Sequence, residues 1–299
     1  MRVDPQFIFN TVSALDNTTA NEQTITNEIS TGVSVNQPGD NPTAFSQNVS
    51  LSSQISADDT FTQTASSTEG MLQVADSTLG SVVSQLTEAI SVATQGSNGT
   101  LNSSNLKAIA TQLTGIRDEV VSLANTSYLG NYLFSGSQGS TAPFTIDTST
   151  SPASVTYNGD DVTSSVVTPN GQSIQTNVPG DQIFTATGAN VIGTLNALIA
   201  DFSSGTVSST ATSDLTSLNT ALNYVSQQRT TIDNSITALT AASTDTSSEE
   251  EQLKSAQDTL IQTNTATAAT ELSAAETQQS ALTSLITAID GQGTLFAQI

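Results

Sequence analysis

Residues 65–93, ASSTEGMLQVADSTLGSVVSQLTEAISVA, place Ala65, Thr68, Leu72, Ala75, Leu79, Val82, Leu86, Ala89 and Ala93 on steps that alternate three and four. That spacing holds small and branched apolar side chains on one stripe of an α-helix. It sustains an a/d seam over four heptads and predicts a long helix packed along a partner.

The same rule extends in both directions. After Gln95-Gly96-Ser97-Asn98-Gly99-Thr100 the stripe resumes at Leu106, Ile109, Leu113, Ile116, Val120 and Leu123, with Ser103 or Ser104 placed to cap it. So short a break predicts an antiparallel helical hairpin. Leu215, Leu218, Leu222, Val225, Arg229, Ile232, Ile236 and Leu239 form another seam, in which Arg229 is read as snorkelling outward rather than pairing inside. Near the start, Ile8, Val12, Leu15, Glu22, Ile25 and Ile29 form a dilute stripe. Near the end, Ser248-Glu249-Glu250-Glu251 fits a capping box. From Leu253 a seam follows through Ala256, Leu260, Thr263, Thr267, Thr270, Ala274, Ala281, Leu285 and Ala288, read as one helix. Ala and Thr bury little apolar surface, so at roughly 25 cal/mol per Å² this last seam is weak alone and calls for partners.

Composition sets the limits of function. Of 299 residues, 35% are hydrophobic and 4% aromatic, too few to fill a globe but enough to line narrow seams between helices, which favours an extended shape. Five basic residues stand against 27 acids, for a net charge of -22. The bases, Arg2, Lys107, Arg117, Arg229 and Lys254, are scattered, so neither a nucleic-acid backbone nor an anionic membrane surface is an expected partner. Cysteine and histidine are absent, which removes thiol nucleophiles, imidazole bases and the commonest zinc ligands. A pair of carboxylates could still serve glycoside hydrolysis, but the aromatic-lined cleft that such sites use is hard to build here. No enzyme and no cofactor is expected. The opening MRVDPQFIFN has too short an apolar run for a secretory signal, and no segment has transmembrane length, so the chain is expected to be either cytoplasmic or exported by a route that reads no cleaved signal.

Between 128 and 187 helical spacing gives way to short Val/Thr/Ile/Tyr runs with Asn158-Gly159 and Asn170-Gly171, both hairpin-turn signals. Val155–Tyr157 and Val162–Thr168 would flank the first turn, and Ser173–Gln175 would close the second. A small β domain inserted between helices follows. Asn158-Gly159-Asp160-Asp161 is read as a turn rather than a calcium loop, because the alternating acids and terminal Glu of such a loop are missing.

Two segments carry a family resemblance. EISTGVSVNQPGDNPTAF, residues 28–45, resembles the flagellin-superfamily segment in which a helix ends at Ser-Thr-Gly, turns, and begins again. Gly32 suits the helix end, Pro38 and Gly39 the turn, Asp40 the next cap and Pro42 its first turn. ANTSYLGNYLFSGSQGSTAPF, residues 124–144, is similar to the hook-filament junction family (hook-associated protein 3, FlgL). Gly130, Tyr132, Phe134, Gly136, Pro143 and Phe144 hold the places of its Gly-x-Tyr-x-Phe-x-Gly and Pro-Phe motifs.

The resemblance implies a mainly α, flagellin-like bundle of long helices with a small β insert and terminal helices paired as a coiled coil. It divides the chain into a terminal assembly domain (1–42 with 255–299), a helical bundle (43–127 with 188–254) and a β domain (128–187). It implies a structural subunit exported unfolded through the flagellar type III apparatus with a chaperone, forming the adaptor ring between hook and filament. The partners would be other copies, a neighbouring hook-associated protein and flagellin. Filament flagellin is the alternative reading, and an appendage-associated cell-wall glycosidase a more distant one. The residues expected to carry the terminal packing are Ile8, Val12, Leu15, Ile25, Ile29, Leu272, Leu282, Leu285, Ile289, Leu295 and Phe296.

Overall fold

The computed structural model describes residues 5–296, and side chains from 6 to 289. In chain order the elements are α1 (Pro5–Thr31), α2 (Pro42–Ser97), α3 (Ser103–Ala124), β1 (Ser127–Tyr128), β2 (Asn131–Tyr132), β3 (Phe144–Asp147), β4 (Ser154–Tyr157), β5 (Ser165–Val167), β6 (Ser173–Gln175), α4 (Gly180–Phe184), α5 (Val191–Ser203), α6 (Ala211–Ile261) and α7 (Thr265–Phe296). The fold is mainly helical and flagellin-like. Two compact units are present, one from the residues through Ser56 together with those from Glu249 on, the other Ala57–Ser248.

The Ala57–Ser248 unit is built on the strict seams. Ala65, Leu72, Ala75, Leu79, Val82, Leu86, Ala89 and Ala93 of α2 are buried, as are Leu106, Ile109, Leu113, Ile116 and Val120 of α3 and Leu218, Val225, Ile232 and Leu239 of α6. Together with Leu195, Leu198 and Phe202 of α5 they form one apolar core. Gly96 is needed where α2 passes Phe202: a Cβ there would lie 2.8 Å from the ring.

Local details differ from the sequence expectations for identifiable reasons. Asn102, not Ser103 or Ser104, caps α3, its Oδ1 accepting from the Asn105 amide at 2.9 Å. Arg229 does not snorkel freely. It lies over Gly80 and forms a bidentate pair with Asp76, at 2.8 and 3.0 Å, so a carboxylate of α2 holds the guanidinium of α6. That carboxylate raises the Arg229 pKa above its ordinary value.

The β region consists of three antiparallel two-stranded sheets, β1 with β2, β3 with β4, and β5 with β6. Asn170-Gly171 sits in the β5–β6 turn as expected, with Gly171 at φ +83°. Asn158-Gly159 does not join two strands. β4 pairs backward with β3 instead, and Gly159 lies where any Cβ would meet the Tyr157 hydroxyl and, at 2.8 Å, the Ser135 carbonyl. The residues of the family motif are packing residues. Phe134 and Phe144 each meet Phe184 edge-on at 5.5 Å between ring centres, and Phe144 meets Tyr157 at 5.0 Å. Burial, with the nearby Asp181 charge, pushes the Tyr157 phenol up to about 12. Gly136, at φ +69°, leaves no room for a Cβ against Asp160. The Asp160 carboxylate accepts from the Ser137 amide (2.7 Å) and hydroxyl and from the Val162 amide (3.2 Å), so its lone pairs close a turn. Those bonds, the Ser137 hydroxyl first, hold its pKa below the usual range.

Arg117 ties this region to the helices. Buried on α3, it donates to the Ala153 carbonyl (3.2 Å), Asn196 Oδ1 (3.1 Å) and Asp118 (2.7 Å), so one side chain joins the β3–β4 turn to α3 and α5.

Candidate assembly surface

The other unit pairs α1 with α7. The two helices run antiparallel: Thr263 donates to the Gly32 carbonyl at one end, Gln279 to Thr19 Oγ1 (3.2 Å) midway, and Ile8 and Ile289 line one cleft at the other end. The chain reverses after Gly32, whose φ of +73° ends α1 in the left-handed region open to glycine. Asp40 organises the reversal rather than capping α2. Its carboxylate accepts from the Asn36 (2.9 Å) and Gln37 (3.0 Å) amides, which lower its pKa, while Asn41 caps α2 by accepting from Ala44 at 3.1 Å.

The break between α6 and α7 lies against this reversal. Ser34 donates its amide (2.7 Å) and hydroxyl (2.9 Å) to the Ile261 carbonyl, and Val33 and Gln262 form an antiparallel bridge. Two helix interruptions distant in sequence thus satisfy each other's backbone groups. The expected helix start at Ser248-Glu249-Glu250-Glu251 is not there. These residues lie inside α6, and Ser248 donates its hydroxyl back to the Thr244 carbonyl at 3.0 Å. The start of α7 is set by Asn264, whose Oδ1 accepts from the Thr267 amide at 3.2 Å.

That break also shifts the seam. Ala268 and Ala275 are buried and Leu272, Gln279, Leu282, Ile286 and Ile289 half-buried, a regular alternation of four and three. The stripe expected through Thr267, Thr270, Ala274, Ala281, Leu285 and Ala288 lies next to it and faces out. In α1 the buried positions are Thr11, Thr18 and Ile25, spaced by seven. Thr11 and Thr18 donate their hydroxyls to the Phe7 and Ala14 carbonyls, at 2.8 and 2.9 Å, which turns their methyls toward the seam. Glu22 follows on the same side, and its Oε1 is shielded without a hydrogen-bond partner.

Of the residues expected to carry the terminal packing, Ile25 is inside this pair. Leu15, Ile29, Leu272, Leu282 and Ile289 are half-buried, and Ile8, Val12 and Leu285 are 40–42% exposed. Leu295 and Phe296 fall in α7, with side chains outside the described ones. Phe7 and Phe9, at 48% and 72% exposure, join Ile8 and Val12 in an apolar stretch of α1 that no described side chain covers fully. The Phe7-Ile8-Phe9 run was the signal for it. Among the described residues no three acidic side chains come together as metal ligands, and no helix is long and apolar enough to cross a membrane.

A family model for the bacterial flagellin N-terminal helical region matches residues 7–139. Flagellar hook-associated protein 3 of Salmonella typhimurium is 36% identical over 157 residues, 48% of this chain and 46% of that protein. The same-named protein of Escherichia coli is 34% identical over 118 residues, 39% and 37% of the two chains. The alignments of this chain span half or less of the length of these two relatives. A solved structure from Vibrio parahaemolyticus, assigned as a flagellar hook-associated protein, shares the fold at a TM-score of 0.64 with 22% identity, over 74% of this chain and 99% of that one.

Proposed function

We propose that this chain is a structural, non-catalytic subunit of the bacterial flagellum that forms the adaptor ring between hook and filament. The observation that carries the reading is the 36% identity to hook-associated protein 3 of Salmonella typhimurium, in a chain whose family match lies in the flagellin N-terminal helical region. The geometry of the terminal pair supports it. The fully buried positions of the seam are Thr11, Thr18, Ile25, Ala268 and Ala275, mostly small side chains that bury little apolar surface, and Phe7, Ile8, Phe9, Val12 and Leu285 remain for neighbours to cover. In this reading residues 1–42 and 255–299 are the assembly domain, 43–127 with 188–254 the bundle, and 128–187 an outer β domain. The partners are other copies, the adjacent hook-associated protein, flagellin and an export chaperone, and the chain reaches the cell exterior. Of the assembly residues named from sequence, Leu15, Ile25, Ile29, Leu272, Leu282 and Ile289 hold the pair together, while Ile8, Val12 and Leu285 meet neighbours, and Leu295 and Phe296 have side chains outside the described ones.

Electron microscopy of a strain lacking the chain tests the proposal. The expected result is hooks without filaments and flagellin in the medium, both reversed by the restored gene. Normal filaments in the deletion strain would overturn it.

A further inference from the structure

Glycine follows asparagine at three places, Asn98-Gly99, Asn158-Gly159 and Asn170-Gly171. Such a pair carries its own chemistry: the glycine amide nitrogen has no Cβ beside it and can attack the side-chain carbonyl carbon of the asparagine. What differs among the three is how firmly the reacting atoms are held. At 170 the Gly171 amide donates to the Thr168 carbonyl at 2.8 Å inside the β5–β6 turn, so the attacking nitrogen is already committed. At 158 the side-chain amide donates to Thr145 Oγ1 at 3.1 Å, and the backbone is fixed on both sides. There Asn158 donates to the Pro143 carbonyl (2.7 Å) and Asp160 to the Ser135 carbonyl (3.2 Å). Gly159 between them has no room to shift, since the Ser135 carbonyl lies 2.8 Å from where a Cβ would sit.

At 98 none of these restraints is present. Asn98, Gly99 and Thr100 are exposed, and Gly99, at φ +68°, has nothing within 4 Å of the place of a Cβ. Among the described residues neither the Gly99 amide nor the Asn98 side chain is hydrogen-bonded. The backbone bond at the site, from the Asn98 amide to the Gln95 carbonyl, is long at 3.5 Å and leaves both reacting atoms free. With α2 ended at Ser97 and α3 starting at Ser103, no helical ladder has to open.

We propose that Asn98 is a site of spontaneous deamidation in the folded chain, while Asn158 and Asn170 are protected. The Gly99 nitrogen gives its proton to hydroxide and bonds to Asn98 Cγ. The Cγ–Nδ2 bond breaks and ammonia leaves. Water then opens the cyclic imide at either carbonyl, giving aspartate or isoaspartate; a carboxylate replaces an amide and nothing is oxidised or reduced. The new anion lies just beyond α2, at the negative end of the helix dipole, and the isoaspartate form carries the main chain through the former side chain. The reaction needs no partner and is independent of what the chain assembles with.

The experiment incubates the full chain, folded and in guanidinium chloride, in mildly alkaline water labelled with heavy oxygen. Peptide mapping follows label uptake at the three asparagines, and an isoaspartyl methyltransferase reads isoaspartate. In denaturant all three should convert at rates of the same order. In the folded chain Asn98 should outpace Asn170 by about fivefold or more, which corresponds to about 1 kcal/mol, the size of one hydrogen bond that must open. Asn158 should convert more slowly still. The variant Asn98→Gln, changed at an exposed position, should lose the principal acidic species. Folded-state conversion at Asn98 no faster than at Asn158 or Asn170 would overturn the proposal, as would acidic species forming at the wild-type rate in Asn98→Gln.

Discussion

The double substitution Thr11→Val/Thr18→Val addresses the polar seam between α1 and α7. Both threonines are buried, at 7% and 6% exposure, and both hydroxyls are already bonded to carbonyls four residues back in their own helix. Valine keeps the shape and nearly the same helix propensity, and it exchanges each hydroxyl for a methyl. A buried methyl is worth about 0.8 kcal/mol, from which a weak local hydrogen bond must be subtracted, leaving roughly 0.3–0.5 kcal/mol per site. Together the two changes should stabilise the pair by about 0.6–1 kcal/mol, a factor of roughly 3–5 in the opening equilibrium. Hydrogen exchange of α1 and α7 amides reads that factor directly. Thr24→Val is the matched control, because Thr24 makes the same local bond to Ala20 but is exposed. Unchanged protection in the double variant, or an equal gain in the control, would refute the seam assignment.

Three further outcomes follow from the geometry. Leu285→Asp, at a position 42% exposed, should leave thermal unfolding of the chain within about 0.5 kcal/mol of wild type while abolishing incorporation at the hook tip, read by electron microscopy of complemented cells. Gly136→Ala forces a Cβ against Asp160 at a left-handed φ and should cost more than about 2 kcal/mol by urea denaturation. The Glu28 carboxyl is raised above its ordinary pKa by burial, then by Asp40 and Glu271. The folded pair therefore holds that proton more tightly than the unfolded chain, so α1 protection should rise as pH falls toward the ordinary carboxylate pKa of about 4.3. Glu28→Gln should raise protection at neutral pH and remove that rise.

The sequence was most readable where large side chains mark one face. Leu72, Leu79, Val82 and Leu86 leave no other phase for α2, and their burial follows. In α7 the residues Ala266, Ala269, Ala274, Ala281 and Ala288 are as small as those that pack, so two neighbouring stripes satisfy the same spacing rule. Only the break at Gln262–Asn264, invisible as a Gly or Pro, selects between them. The caps of α2 and α3 were misplaced for a related reason: a chain rich in Ser, Thr, Asn and Asp offers several capping groups within two residues of the true one. Strand pairing around Asn158 depended on Tyr157 reaching the Phe144 and Phe184 cluster, a tertiary contact that turn signals do not encode. The exposed stretch of α1 contains the apolar run Phe7-Ile8-Phe9, which from sequence was weighed only as a secretory signal; its exposure follows from Thr11 and Thr18 facing the seam.

Electron cryo-microscopy of the hook-filament junction in a flagellum built with this chain tests the central claim most directly. The account predicts density for the chain confined to a ring at the junction, with Phe7, Phe9 and Leu285 covered by neighbouring subunits. Density spread along the filament, or terminal pairs whose α1 face stays open to solvent, would contradict it.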